Sequence, residues 1–281
     1  MINNFQNLLN DLSQMGKHGI CLAFSGGIDS SLLLYLCKDL NITAVTFKSV
    51  FQTDEEIQET IDFCRNYDIK HKIIEFYPLE NEILCNNPKD RCYHCKKLFF
   101  SKLKDFAKEN NPVSQLTAGL LPPSGCSNNS KYIIDGTNYD DTQTYRPGLK
   151  AIKELDIISP YIKHKITKKQ IREYAKELGL KIFNKPSTPC IATRFPYNTK
   201  LTEENILKVK KGENILKKFG FISCRLRYHD NTARIEIEKT EFQNFMNKHE
   251  DIISELKKIG FNYITLDLEG LRSGSMDIGI Q

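Results

Sequence analysis

At 281 residues, with 40% hydrophobic and 27% charged side chains, the chain has the makings of a globular soluble protein of one large domain or two ordinary ones. No apolar stretch approaches the ~18 residues of a membrane span, which excludes a spanning helix. Met1-Ile2-Asn3-Asn4-Phe5-Gln6-Asn7 lacks the basic start and apolar core of a secretion signal, so a cytoplasmic location is expected. A net charge of +5 is what lysines on solvated helix faces produce and does not by itself argue for nucleic acid. Nine cysteines, an odd number without a secretion signal, argue against a disulfide framework.

Apolar Phe5, Leu8, Leu9 and Leu12 recur at helical spacing over 3–15. The apolar run 20–24 reads as a buried strand that turns sharply at Ser25-Gly26-Gly27 into a helix reaching about Asp39. A second buried strand over 41–47, a charged helix over 54–67 and a third strand over 71–76 follow. This β-α-β-α-β order predicts a parallel sheet wrapped by helices, with its ligand beyond the carboxyl ends of the strands. Arg91-Cys92-Tyr93-His94-Cys95-Lys96-Lys97 opens another helix, and the turn-rich stretch 110–130 reads as an inserted loop. A short strand over 131–134 ends in Asp135-Gly136-Thr137-Asn138, and 157–160 reads as one more strand. Thr167 caps a helix running to about Gly179.

The proline-flanked stretch from Lys185 to Arg194 cannot be regular helix, and the domain boundary falls there, giving domains 1–185 and 186–281. Beyond it, Thr202 starts a helix to about Phe219. Strands over 222–228 and 233–238 are joined at His229-Asp230-Asn231-Thr232, and a helix over 241–258 and a strand over 263–268 complete an α+β module. The fold class is α/β: a parallel-sheet domain followed by a smaller α+β domain.

The chemistry starts at Phe24-Ser25-Gly26-Gly27-Ile28-Asp29-Ser30-Ser31. Two glycines let the backbone approach a bulky anion, the new helix offers free N–H groups and a positive dipole end, and Ser25, Ser30 and Ser31 add hydroxyls. Asp29 would repel phosphate unless a cation sits between them, so it reads as a Mg²⁺ ligand on a nucleotide's phosphates. The loop is not a Walker motif, because no Gly-x-x-x-x-Gly-Lys-Ser/Thr occurs. The competing reading is a plain Gly-Gly turn before an ordinary helix.

Cys92 and Cys95 form a C-x-x-C, spaced to share a metal or to act as a redox pair, with Arg91, Lys96 and Lys97 favouring the thiolate. Two half-buried cysteines at a helix start are the alternative. Cys190 lies on irregular chain, where reactive groups are displayed, with Arg194 near enough in sequence to stabilise a thiolate or an anionic substrate. An inert linker cysteine is its alternative. With Cys92 and Cys95, Cys190 completes a set of three that could hold a [4Fe–4S] cluster with one iron open. Arg225 and Arg227 alternate on one strand and share a face, where they can grip a phosphate or form ordinary cross-strand salt bridges with Arg234 and Glu236 nearby.

The Ser-Gly-Gly-x-Asp-Ser loop resembles the PP-loop of ATP pyrophosphatases, which cleave ATP between the α and β phosphates by way of an adenylylated substrate. Taken with Arg91-Cys-Tyr-x-Cys-Lys-Lys97, Asp135-Gly-Thr-Asn138, Arg146-Pro-Gly148, Pro189-Cys-x-Ala-Thr-Arg194, Arg225-x-Arg227, Ala233-Arg-Ile-Glu236 and Leu271-Arg-Ser-Gly-Ser275, it resembles the LarE family of ATP-dependent sacrificial sulfur transferases over nearly the whole chain. The resemblance implies an adenine nucleotide alpha hydrolase-like first domain, ATP and Mg²⁺ as cofactors, and a role in building the nickel-pincer nucleotide of lactate racemase. Its substrate would be pyridinium-3,5-biscarboxylic acid mononucleotide. It further implies Cys190 as the sulfur donor, Arg225 and Arg227 on the substrate phosphate with Arg194 nearby, and Glu213 and Glu236 as candidate ligands of a divalent metal. Some members are thought to carry a [4Fe–4S] cluster on three cysteines and to recycle added sulfide, and the C-x-x-C of Cys92 and Cys95 favours that form here. Homo-oligomers are common in the family. The competing functions are a tRNA thiolase, for which no RNA-binding module is visible, an amidotransferase-type ligase or NAD synthase, for which no glutaminase segment is present, and a nucleotide-sensing module without turnover.

Overall fold

The structure is a computed structural model that describes residues 2–110, 131–144, 146–185, 188–272 and 274–276. The expected loop over 110–130 therefore lies, beyond its first residue, outside the described residues. The chain divides into two compact units: one of Met1–Ser49, Asp54–Phe76 and Asp90–Thr188, the other of Val50–Thr53, Tyr77–Lys89 and Pro189–Gln281.

The first unit is built on a parallel four-stranded sheet. Its strands β1 (Ile20–Ala23), β2 (Ile42–Lys48), β3 (Lys70–Glu75) and β4 (Tyr132–Asp135) lie in the order β3-β2-β1-β4. All of β1 and six of the seven residues of β2 are buried, the near-continuous apolar run of a strand covered on both faces. Alternate residues serve the two faces. Ile20, Leu22, Ile42 and Ala44 join α1 (Ile2–Gly16) and α2 (Ile28–Leu36) in one core, through Phe5, Leu8, Leu12, Leu32 and Leu33. Val45 and Phe47 pack on the other face. Their partners there come after α3 (Asp54–Asn66) and α4 (Glu82–Cys85) in the chain, with Phe100 and Leu103 on α5 (Arg91–Glu109) and Ile152 on α6 (Gly148–Glu154).

The register sets Ala23 beside both Val45 and Asp135, so β1 and β4 deliver their following loops side by side. The strand expected over 157–160 is a single parallel bridge, Ile158 to Ile134. Pro160 has no N–H for a ladder and starts the short helix α7 (Pro160–Lys163) instead. Helix α8 (Lys168–Glu177) begins at Thr167, whose hydroxyl accepts from Gln170 N while Gln170 accepts from the Thr167 N–H, a reciprocal capping box.

The second unit has α9 (Glu203–Lys218), capped by Thr202, and the antiparallel pair β5 (Cys224–His229) and β6 (Thr232–Ile237). Strand β7 (Tyr263–Leu266) adds in parallel to β6. The hairpin turns at Asp230, which adopts φ 53°. Leu226, Ala233, Ile235 and Ile237 pack against Ile206, Val209 and Leu216 of α9. The helix expected over 241–258 is broken at Lys248 into α10 (Phe242–Asn247) and α11 (His249–Lys258), with the Lys248 ammonium on Phe219 O. The two short segments from earlier in the chain belong here by hydrogen bonding: the Lys210 ammonium donates to Gln52 O, Leu201 N–H donates to Cys85 O at 2.7 Å and Asn87 Nδ2 to Pro196 O at 2.7 Å. Among the described residues no helix is long and apolar enough to cross a membrane.

Candidate active site

In the first unit the Ser25–Ser31 loop follows β1 as the sequence predicts. Gly26 adopts φ +70°, the left-handed region that costs other residues, and a Cβ there would lie 2.9 Å from Thr60 Cγ2. The loop is bound to itself: Ser25 Oγ and Ser30 Oγ are 3.0 Å apart, Ser30 Oγ donates to Gly27 O, and Gly27 N–H donates to Ser25 Oγ. Gly27 caps α2 without a side-chain bond, leaving the first-turn N–H groups facing the end of the helix, as an anion site requires. Lys185 Nζ donates to Gly26 O at 2.8 Å and pairs with Glu59 at 2.5 Å, bringing a cation to the loop from the end of this unit.

Beside it lies the loop after β4. Gly136 packs so tightly that a Cβ would come within 2.7 Å of Ser30 N, so this loop abuts the start of α2. Asp135 is buried, accepting from Thr137 and from Ser159 Oγ at 2.5 Å. Asn138 and Asp141 form a second capping box, and Arg146 pairs with Asp141 at 2.9 Å.

Asp29 sits in the first turn of α2, its side chain 22% exposed. Oδ2 is 2.5 Å from Lys168 Nζ, and Oδ1 is buried with no hydrogen-bond partner among the described residues. Burial pushes its carboxyl above the usual range, opposed by the Lys168 charge. An orphaned buried carboxylate oxygen at a phosphate-type loop fits a hard divalent cation.

Cys92 and Cys95 are one turn apart at the start of α5, Cys92 exposed with Arg91 Nη2 3.9 Å from its sulfur, Cys95 half-buried. Cys21, Cys37 and Cys64 are buried core residues, and burial pushes the Cys37 and Cys64 thiols up to about 12. Among the described residues no three His, Cys, Asp or Glu side chains converge as a metal site.

Cys190 belongs to the second unit. It is exposed and precedes a single 3₁₀ turn over Ile191–Arg194, with Thr193 N–H and Thr193 Oγ1 both bonded to Cys190 O. Two buried arginines brace this segment. Arg194 Nη1 donates to Pro189 O and Thr193 Oγ1, both at 3.1 Å, and Arg227 Nη1 donates to Thr193 O at 2.8 Å. Each has its own buried carboxylate: Arg194 lies on Glu213 at 2.7 and 3.3 Å, and Arg227 on Glu236 at 2.8 Å. Glu213 also accepts from Leu226 N–H, and Glu236 from Ser275 Oγ at 2.6 Å. The carboxylates singled out in sequence as metal candidates are thus engaged with arginines in this structure.

Arg225 is half-buried, with Nη1 on Arg272 O at 2.7 Å. Burial, then the neighbouring Arg227 and Arg194 guanidiniums, pull its pKa down, with Glu236 and Glu213 opposing. Sequence reasoning missed Lys168, Lys185 and the Arg227–Thr193 tie. The one signal available was that Lys168 follows the Thr167 cap directly.

The sequence model of the NAD synthase family matches residues 1–110. A pyridinium-3,5-bisthiocarboxylic acid mononucleotide synthase of Lactiplantibacillus plantarum is 34% identical over 262 residues, which span 92% of this chain and 88% of that protein. An uncharacterised protein of Methanocaldococcus jannaschii is 35% identical over 269 residues, 95% of this chain and 96% of that one. Among solved structures, NMN synthetase of Francisella tularensis aligns with a TM-score of 0.49 and 19% identity, over 66% of this chain and 74% of that one. By its likeness to the synthase over 92% of its length, this chain belongs to the LarE family, ATP-dependent sulfur transferases of the PP-loop superfamily.

Proposed function

We propose that this protein uses ATP to activate a carboxylate of pyridinium-3,5-biscarboxylic acid mononucleotide and then places sulfur on it, with Cys190 at the sulfur step. The reading is carried by the 34% identity to the synthase over nearly the whole chain, and the exposed Cys190 on its braced segment supports it. In this reading the first unit activates, and the second grips the substrate and delivers sulfur.

Activation is attack by a substrate carboxylate oxygen on the α-phosphorus of ATP, with pyrophosphate leaving. The first-turn N–H groups of α2 and the Ser25 and Ser30 hydroxyls meet the charge that builds on the leaving phosphates. Asp29 would hold Mg²⁺ through Oδ1, and that ion, when bound, neutralises phosphate charge. Arg225 would hold the substrate phosphate, with Arg227 and Arg194 fixing the segment beside it rather than reaching out themselves.

The sulfur step has two balanced forms. In one, the Cys190 thiolate attacks the acyl carbon and AMP leaves. Loss of the Cys190 α-proton then breaks the C–S bond, giving the thiocarboxylate and a dehydroalanine. In the other, added sulfide attacks the acyl carbon and AMP leaves, so the chain is unchanged. Cys92 and Cys95 favour the second form. That form takes Cys92, Cys95 and Cys190 as the three sulfurs of a [4Fe–4S] cluster. A [4Fe–4S] cluster so held would supply an iron without a protein ligand at which sulfide can be kept.

Anaerobically purified protein tests this through iron content and intact mass after turnover. Iron near four per chain with unchanged mass is the expected result. A mass loss of about 34 Da without iron would assign the sacrificial form instead. Turnover with neither, or undiminished sulfur transfer by Cys190→Ala, overturns the role of Cys190. A homo-oligomer belongs to the same reading and is checked by light scattering.

A further inference from the structure

Asp29 is faced by a cation that the sequence marks only by its place after the Thr167 cap. Lys168 stands 139 residues downstream at the first position of α8, with Nζ 2.5 Å from Asp29 Oδ2. Its backbone is fixed twice: the Lys168 N–H donates to Asp140 Oδ2 at 2.8 Å, and the Thr167–Gln170 capping box closes the helix start. The side chain is 29% exposed, so the ammonium can leave the carboxylate by rotation of its methylenes alone. The other oxygen of Asp29, Oδ1, is buried without a hydrogen-bond partner among the described residues. The charge of a second carboxylate, Asp141, reaches Asp29, but no three potential ligands converge there or elsewhere among those residues, so a divalent cation must take most of its positions from phosphate oxygens and water. A carboxylate at the mouth of a phosphate loop nevertheless needs a positive partner before the metal arrives, because phosphate would otherwise meet a bare anion at close range.

We propose that Lys168 is a positioning residue, the stand-in counter-ion of Asp29. It neutralises the carboxylate from Oδ2 when the loop is empty or holds nucleotide without metal, and its charge competes there with the Mg²⁺ that enters on ATP at Oδ1. The proposal rests on the nucleotide reading of the loop. It makes Lys168 and the metal competing cations on the two oxygens of one carboxylate, so the lysine sets how strongly nucleotide binding depends on metal.

The test is calorimetric titration of the whole protein with ATP in EDTA and with MgATP, for the wild type, Lys168→Met, Asp29→Asn and the double variant. Loss of the lysine should weaken metal-free ATP by about tenfold or more while MgATP is held or tightened, the metal no longer having a competitor. Adding Asp29→Asn to Lys168→Met should restore metal-free ATP to within about threefold of wild type, because the charge that needed a partner is gone. Lys168→Arg, which keeps a cation, should hold both affinities. Equal losses of ATP and MgATP in Lys168→Met that Asp29→Asn fails to rescue would make the lysine an ordinary phosphate ligand and overturn the proposal alone. Absence of binding of either form to the wild type would overturn it together with the nucleotide reading.

Discussion

Replacing Glu213 by Ala tests whether the segment that displays Cys190 is held by buried charge. Arg194 and Glu213 are 3% and 8% exposed, and the carboxylate also accepts the Leu226 N–H of β5 at 3.1 Å. Removing it leaves the buried Arg194 charge without its carboxylate, Nη1 keeping only Pro189 O and Thr193 Oγ1, and leaves the Leu226 N–H without an acceptor. Breaking a buried pair by deleting one partner costs about 3–5 kcal/mol, and an orphaned buried donor about 1–3. The two losses share one carboxylate and do not add in full, so the expected destabilisation is about 4 kcal/mol. Urea and thermal unfolding followed by far-UV circular dichroism reads it, since the chain has no tryptophan, and the fall in Tm should be about 10 °C or more. Arg194→Met with Glu213→Leu removes both charges and keeps the volume. It should recover most of the loss, leaving about 1–2 kcal/mol for the Leu226 N–H. A single-variant loss below about 1 kcal/mol, or a double variant no more stable than Glu213→Ala, refutes the argument.

Cys190→Ala should abolish sulfur transfer while pyrophosphate release on activation persists; parallel loss of both in coupled assays would count against separate roles for the two units. Gly136→Ala drives a methyl into Ser30 N, so it should weaken ATP binding and cost about 1–3 kcal/mol of stability, whereas a neutral result in calorimetry would mean the loops are not in contact. Cys37, Cys64 and Cys224, with thiols pushed up to about 12, should resist thiol reagents at pH 7.5 while Cys92 and Cys190 react, as peptide mapping after labelling will show. The same raised thiols set a sign. The fold favours their protonated form, so their contribution is complete below the unfolded value of about 8.5 and is lost as pH rises toward the folded one. Stability should therefore fall between these limits, and less so in Cys224→Ala than in the wild type.

Much of both units follows from local pattern. The apolar run before Ser25-Gly26-Gly27 makes a strand, the glycines and serines make the anion loop, and the caps at Thr167 and Thr202 mark helix starts through bonds only three residues long. These features are written in contiguous residues, so periodicity and turn chemistry reach them. The strand expected at 157–160 failed on Pro160, and the unbroken helix over 241–258 failed at Lys248, where no glycine or proline announces the break.

Charge partners are another matter. Arg227 and Glu236 lie on paired strands, but register and burial make them a desolvated pair under the Cys190 segment rather than a salt bridge on a wet face. That Val50–Thr53 and Tyr77–Lys89 join the second unit, or that Gly136 touches Ser30, depends on contacts between distant segments. Sequence alone determined the order of elements, the anion loop and the cysteine worth watching, because each is a short-range property of the chain. Only the tertiary structure decided which of 40 basic side chains face Asp29, Glu213 and Glu236, because pairing is fixed by where helices and strands converge and not by spacing along the chain.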